Sequence, residues 1–106
     1  MGHRYYLYGS DEMSLQEVSD ALSVSLQIPF DARQSDFKGG RYYLARMQAP
    51  EKITIEENWE DDEGYLAEPD FPAYSTLVYV TEPNLRVVSV LENSGHLQRL
   101  RMSCAD

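Results

Sequence analysis

The chain has 106 residues, of which 42% are hydrophobic, so it holds enough apolar material for one core and too little for two. We therefore predict a single domain over residues 1–106. The formal net charge of -9 disfavours nucleic acid and anionic membranes as direct ligands, because both are polyanions. A basic protein or a metal ion is the more natural charged partner.

Cysteine content and hydropathy bear on the compartment. Cys104 is the only cysteine, so no intramolecular disulfide can form, which favours a reducing setting. The first residues lack the apolar segment of a signal peptide, and no stretch has the length needed to cross a bilayer. We expect a cytoplasmic protein without a signal peptide or a transmembrane helix.

The first part of the chain predicts a strand followed by a helix. Residues 4–8 are rich in aromatics and end at a Gly-Ser-Asp turn cluster, which is typical of a short strand. Ser14 and Glu17 have the spacing of a capping box, in which each side chain hydrogen-bonds the backbone amide of the other residue. Apolar residues then recur at helical spacing, with Asp20 and Ser19 on other faces; they are Leu15, Val18, Leu22 and Leu26. This pattern predicts an amphipathic helix over residues 14–27.

The middle of the chain predicts a hairpin and a further strand. Residues 30–33 and 41–46 have an extended pattern and flank a Gly-Gly pair, which supplies the tight turn. Residues 52–59 alternate, with Ile53 and Ile55 inward and Thr54 outward, as a half-buried strand does.

The remaining segments complete the predicted sheet. Residues 76–80 are strongly apolar and indicate a central strand, and residues 96–102 indicate a closing strand. Between these two strands, apolar residues at helical spacing predict a second helix that ends near Gly95; they are Leu85, Val88 and Leu91. The valines of this segment also suit a strand. The order β-α-β-β-β-β-α-β predicts an α+β fold: a single antiparallel sheet of five to six strands with two helices on one face.

No residue pattern carries a strong enzymatic signature. Cys104 and His96 are too far apart along a strand to form a nucleophile and base pair. Carboxylates are abundant, so a small hydrolase stays open, but a catalytic pair normally lies in an apolar cleft. Asn58, Glu60 and Asp62 alternate like the first ligands of a calcium loop, yet Pro69 stands where a bidentate Glu is needed. We predict no catalytic residue, no metal and no cofactor.

The most informative feature is an acidic stretch, residues 56–70, with eight carboxylates and no Lys or Arg. Aromatic residues interleave with the charges, whereas a purely solvating segment has few aromatics. The stretch therefore suits a surface that meets a basic partner, with a solvated loop between two strands as the alternative. The residues expected to contact the partner are Trp59, Glu60, Asp61, Asp62, Glu63, Tyr65, Glu68, Asp70 and Phe71.

Four segments of the middle of the chain resemble a known family. They are residues 35–43, Asn58 with the acidic run, residues 68–74 and residues 77–80. Together they resemble small bacterial immunity proteins encoded beside polymorphic toxins, including those of contact-dependent growth inhibition. The resemblance implies a cytoplasmic protein without enzymatic activity that binds the C-terminal toxin domain of a cognate effector, commonly a basic nuclease. The contact surface of such families varies from pair to pair, so the resemblance assigns no residue.

A second interpretation stays open, an acidic regulatory or scaffold subunit that binds another protein through the open sheet face. Six tyrosines lie at strand positions, and in an acidic chain we expect half in the core and half on the open face; they are Tyr5, Tyr6, Tyr8, Tyr42, Tyr43 and Tyr79. An exposed tyrosine face supports a homodimer as readily as a heterodimer.

Overall fold

The computed structural model describes residues 3–36, 39–47 and 51–105, which form six strands and two helices in the predicted order. The strands are β1 (His3–Ser10), β2 (Asp31–Ser35), β3 (Gly40–Arg46), β4 (Lys52–Glu57), β5 (Thr76–Thr81) and β6 (Gln98–Ala105). The helices are α1 (Leu15–Leu26) and α2 (Leu85–Glu92). All strand pairings are antiparallel in one sheet of order β2-β3-β4-β5-β1-β6, so the predicted α+β fold is confirmed.

Strand β1 lies between β5 and β6 and not at an edge. Tyr6 faces Val80 of β5 on one side and Met102 of β6 on the other. An irregularity between Leu7 and Tyr8 shifts the register with β6. The predicted interior position of β5 is confirmed, since β5 pairs with both β4 and β1.

Both helices cover one face of the sheet, and this face holds the core. The sheet contributes alternating side chains and the helices contribute one stripe each; the buried set includes Tyr6, Tyr8, Tyr43, Ile53, Ile55, Val78, Val80, Val18, Leu22, Leu26, Val87 and Leu91. Two tyrosine hydroxyls tie the layers together. The hydroxyl of Tyr43 donates to Gln16 of α1 over 2.7 Å, and that of Tyr8 donates to Glu92 of α2 over 2.6 Å. Burial, reinforced by the hydrogen bond to Glu92, raises the pKa of Tyr8.

Helix α1 forms where its capping box predicts. The Ser14 hydroxyl accepts from the Glu17 amide over 3.2 Å, and the Glu17 carboxylate accepts from the Ser14 amide over 3.0 Å. These bonds to Ser14 lower the pKa of Glu17, since they favour its charged form. The prediction that Ser19 lies off the buried face is wrong, because Ser19 is only 5% exposed. Helix α1 contacts both the sheet and α2, so its buried face is wider than its apolar stripe.

Helix α2 confirms the predicted helix and two of its three predicted apolar positions, since Leu91 is buried and Val88 packs partly buried against the core. The Asn84 side chain caps it by accepting from the Val87 amide over 2.9 Å. The expectation that Leu85 belongs to the apolar stripe is wrong, because Leu85 is 84% exposed at the first helical position. Val87, one helical turn before Leu91, takes the place of Leu85 in the buried face.

The sheet face opposite the helices is also partly buried. Thr54, expected to point outward, is only 7% exposed because the register places it between Leu44 of β3 and Tyr79 of β5. Leu7 and Leu77 are buried on this face as well. The predicted division of the strand tyrosines is confirmed: three lie in the core and three on the opposite face, the latter being Tyr5, Tyr42 and Tyr79.

Candidate functional site

The acidic stretch forms a long connection between β4 and β5, here called the acidic loop (residues 58–75). Strand β4 ends at Glu57, two residues earlier than predicted, and the last pair of the ladder is Glu57 with Thr76. The Asn58 amide then donates to the carbonyl of Ser75 over 2.9 Å, so the two ends of the loop meet. A compact loop with closed ends over a rigid scaffold is a frequent location for binding residues.

Asn58 organises the interior of the acidic loop. Its side-chain amide donates to the carbonyls of Phe71 (3.0 Å) and Tyr74 (3.1 Å), with a longer contact of 3.4 Å to that of Glu68. Its side-chain oxygen accepts from the Glu68 amide over 2.8 Å. One side chain therefore satisfies backbone groups from three places in a segment that lies between two paired strands of the sheet.

A tight turn shapes the tip of the acidic loop. One carboxylate oxygen of Asp61 accepts from the amides of Glu63 and Tyr65, each over 2.9 Å. Gly64 lies at the turn with φ of 87°, a left-handed conformation that favours glycine. Asp61 thus stabilises the tip in addition to carrying charge.

Glu68 anchors the acidic loop on the sheet face opposite the helices. Its carboxylate accepts from the Tyr79 hydroxyl over 2.7 Å and from the Arg101 guanidinium over 3.0 and 3.3 Å. Tyr79 and Arg101 both lie opposite Leu7 in the register, so Glu68 bridges β5 and β6 across β1. Burial first, and then Glu68, raise the pKa of Tyr79, while the hydrogen bond to Glu68 raises that of Arg101.

Trp59 joins the acidic loop to the β2–β3 turn. The indole packs so closely on Gly39 that a Cβ there would lie 2.4 Å from the Trp59 Cγ, and φ of Gly39 is +78°. Trp59 also lines an open groove of about 480 Å³, and the other described residues that line it all carry carboxylates: Asp36, Asp61, Asp62 and Glu63. An aromatic ring surrounded by carboxylates is a suitable environment for a cationic side chain.

The nine residues predicted to contact a partner divide into two groups. Six are exposed on the loop: Glu60, Asp61, Asp62, Glu63, Tyr65 and Asp70. Three are half-buried: Trp59 and Glu68, whose side chains hold the loop in place, and Phe71. The carboxylates of Glu60, Asp62 and Glu63 form no hydrogen bond or ion pair with any residue in the described ranges.

Sequence reasoning missed one member of the groove, Asp36, which follows β2 and lies far from the acidic stretch in the sequence. Nothing in the local sequence around Asp36 signals this position. The structural role of Asn58, which hydrogen-bonds the backbone of the acidic loop, was also missed. An isolated Asn at the start of a long, proline-containing connection is a recognisable signal for a side chain that closes a loop.

Within the described ranges, no three His, Cys, Asp or Glu side chains are gathered so that they could hold a metal ion. Neither helix has the length and apolar content needed to span a membrane, again among the residues that the structure describes. Comparisons with protein-family models, with curated proteins and with solved structures found no match.

Proposed function

We propose that this chain is an immunity protein that binds and neutralises a cognate toxin domain, a basic protein such as a nuclease, through the acidic loop. The observation that carries the proposal is the loop itself: exposed carboxylates with no partner in the described chain surround Trp59 on an internally bonded frame. The basic groups that bind phosphates in the active site of such a nuclease would bind the carboxylates of the acidic loop instead. Binding of this kind requires no catalytic group, metal or cofactor.

Charge would steer the encounter. The acidic loop carries six carboxylates, and among the described cations only Arg101 forms an ion pair with one of them, Glu68. Complementary fields of this type raise association rates and make them depend on salt. The same field would repel nucleic acid and anionic membranes, so the proposed partner is a protein met in the cytoplasm.

The aromatic residues would determine how long the complex lasts. Tyr65 is 64% exposed at the tip, where it can be buried by a partner. Trp59 lines the groove, so an arginine side chain of the toxin would stack on the indole while Asp62 and Glu63 accept from its guanidinium. Because the loop is already bonded into one conformation, little ordering entropy would oppose binding.

The test uses the candidate toxin domain encoded beside the gene of this chain. Co-expression should restore growth that the toxin domain alone arrests, and the purified proteins should associate more slowly as salt rises. The triple variant Glu60→Gln, Asp62→Asn, Glu63→Gln keeps Asp61 and its turn, and we expect at least about a tenfold slower association with a flatter salt dependence.

A matched control neutralises three exposed carboxylates that do not line the groove at Trp59, namely Asp11, Glu12 and Asp20, and so reaches the same net charge. It should change the association rate by less than about twofold, because salt screens charges that lie far from the binding surface and only charges near that surface attract the partner strongly. Equal effects in both variants would contradict binding by the acidic loop. Isolation of a stable complex with a protein that has no toxic activity would favour the regulatory or scaffold subunit.

A further inference from the structure

Strand β2 is an edge of the sheet, and among the strands that the structure describes it pairs only with β3. Residues 31–34 are all exposed. An edge strand presents a row of backbone donors and acceptors that a second strand can join, and natural proteins commonly control this with charges. The charges on β2 therefore determine which strand can pair with this edge.

Two opposite charges lie two residues apart on β2. Asp31 and Arg33 lie opposite Leu44 and Tyr42 of β3, so both belong to the sheet face away from the helices. Neither forms an ion pair with another residue of the described ranges. Ala32 lies between them on the other face and has a side chain small enough to face its own copy.

We propose that two copies of this chain associate edge to edge through β2, antiparallel about a two-fold axis at Ala32. In this register, Asp31 of each protomer faces Arg33 of its partner, so the axis creates two identical cross-strand ion pairs. The two sheets become one continuous sheet with the helices of both copies on the same side. Any register that places Arg33 against Arg33 brings like charges together and is disfavoured.

The same geometry keeps the two acidic loops apart. Each loop contacts Gly39 through Trp59, just beyond the Ser35 end of β2. In an antiparallel pair the two Ser35 ends point in opposite directions. The most negative parts of the copies therefore lie at opposite ends of the joined sheet, and the groove at Trp59 stays open in both.

The other edge strand, β6, is less suited to self-pairing. Its charged residues are Arg99 and Arg101, both cations, and each already pairs with a carboxylate of its own chain, Glu92 or Glu68. A second copy of β6 brings only further cations. The alternation of signs needed for self-complementarity is present on β2.

Sedimentation velocity over a concentration series tests the proposal. A five-residue edge buries less area than a standard interface, so we expect a monomer of 12.2 kDa in exchange with a dimer of twice that mass in about the 10–100 µM range. Arg33→Asp should remove the dimer, because each ion pair becomes a pair of carboxylates. The double variant Asp31→Arg, Arg33→Asp should restore it.

The control Arg86→Asp changes net charge as Arg33→Asp does, on an exposed position of α2, and should leave the dimer intact. Circular dichroism shows whether each variant is folded before its mass is compared. A monomer at every concentration would overturn the proposal. A dimer that persists in folded Arg33→Asp would overturn it as well, because it would have to form through another surface.

Discussion

Replacing Asn58 with Ala removes the side chain that holds the acidic loop together. Three of its hydrogen bonds are 3.1 Å or shorter, to the carbonyls of Phe71 and Tyr74 and from the amide of Glu68. At about 1 kcal/mol net for each bond, their loss would cost about 3 kcal/mol if no water replaced them. Asn58 is half-buried, so water will satisfy part of the loss, and we expect the free energy of unfolding to fall by about 2 kcal/mol.

Urea unfolding measures this change, and hydrogen exchange of the Glu68 amide reports it locally. That amide loses its acceptor, so its exchange should accelerate by at least about tenfold. The control Asn93→Ala removes an exposed side-chain amide that donates to the Ser89 carbonyl over 2.8 Å, and should cost only about 0.5 kcal/mol. A loss below about 0.5 kcal/mol for Asn58→Ala, with unchanged Glu68 exchange, would refute the assigned role.

Two further predictions concern the anchors of the loop and the sheet. Gly39→Ala should destabilise the fold by about 2 kcal/mol and shift the fluorescence of Trp59, because the new Cβ would clash with the indole at a left-handed φ. In the control Gly95→Ala the new Cβ meets nothing within 4 Å, so stability should change little. Equal stabilities of the two variants would contradict the packing of Trp59 on Gly39. The raised pKa values of Tyr8 and Tyr79 mean that stability is retained below the ordinary pKa of 10.0 and falls as pH rises above it. Tyr79→Phe should therefore flatten the alkaline decline in stability measured by denaturant titration. An unaltered decline would count against a raised pKa of Tyr79.

Local patterns predicted most of the fold because their causes lie within a few residues. The capping box of Ser14 and Glu17 and the alternation around Ile53 and Ile55 determine α1 and β4 by short-range geometry. The burial of Thr54 was not predictable in this way, since its neighbours Leu44 and Tyr79 come from other strands.

The candidate site was predictable in composition and not in arrangement. The density of carboxylates around Trp59 identified the acidic loop directly from the sequence. Which of them point outward depends on contacts between distant segments: Glu68 pairs with Arg101 of β6, and Asp36 reaches the groove from the end of β2. Contacts of this kind follow from the assembled sheet, which periodicity and composition do not describe.

The position of β1 between β5 and β6 has a consequence for how the chain folds. Tyr6 pairs with Val80 and Met102, so the contacts that complete the centre of the sheet join residues far apart in sequence. High contact order of this kind slows folding, because a large loop must close before the pairing is gained. During synthesis, β1 leaves the ribosome long before either neighbour exists. The apolar side chains and unpaired backbone of β1 are then exposed to other chains, which favours aggregation. Expression at lower temperature or at a slower rate should therefore increase the yield of correctly folded protein.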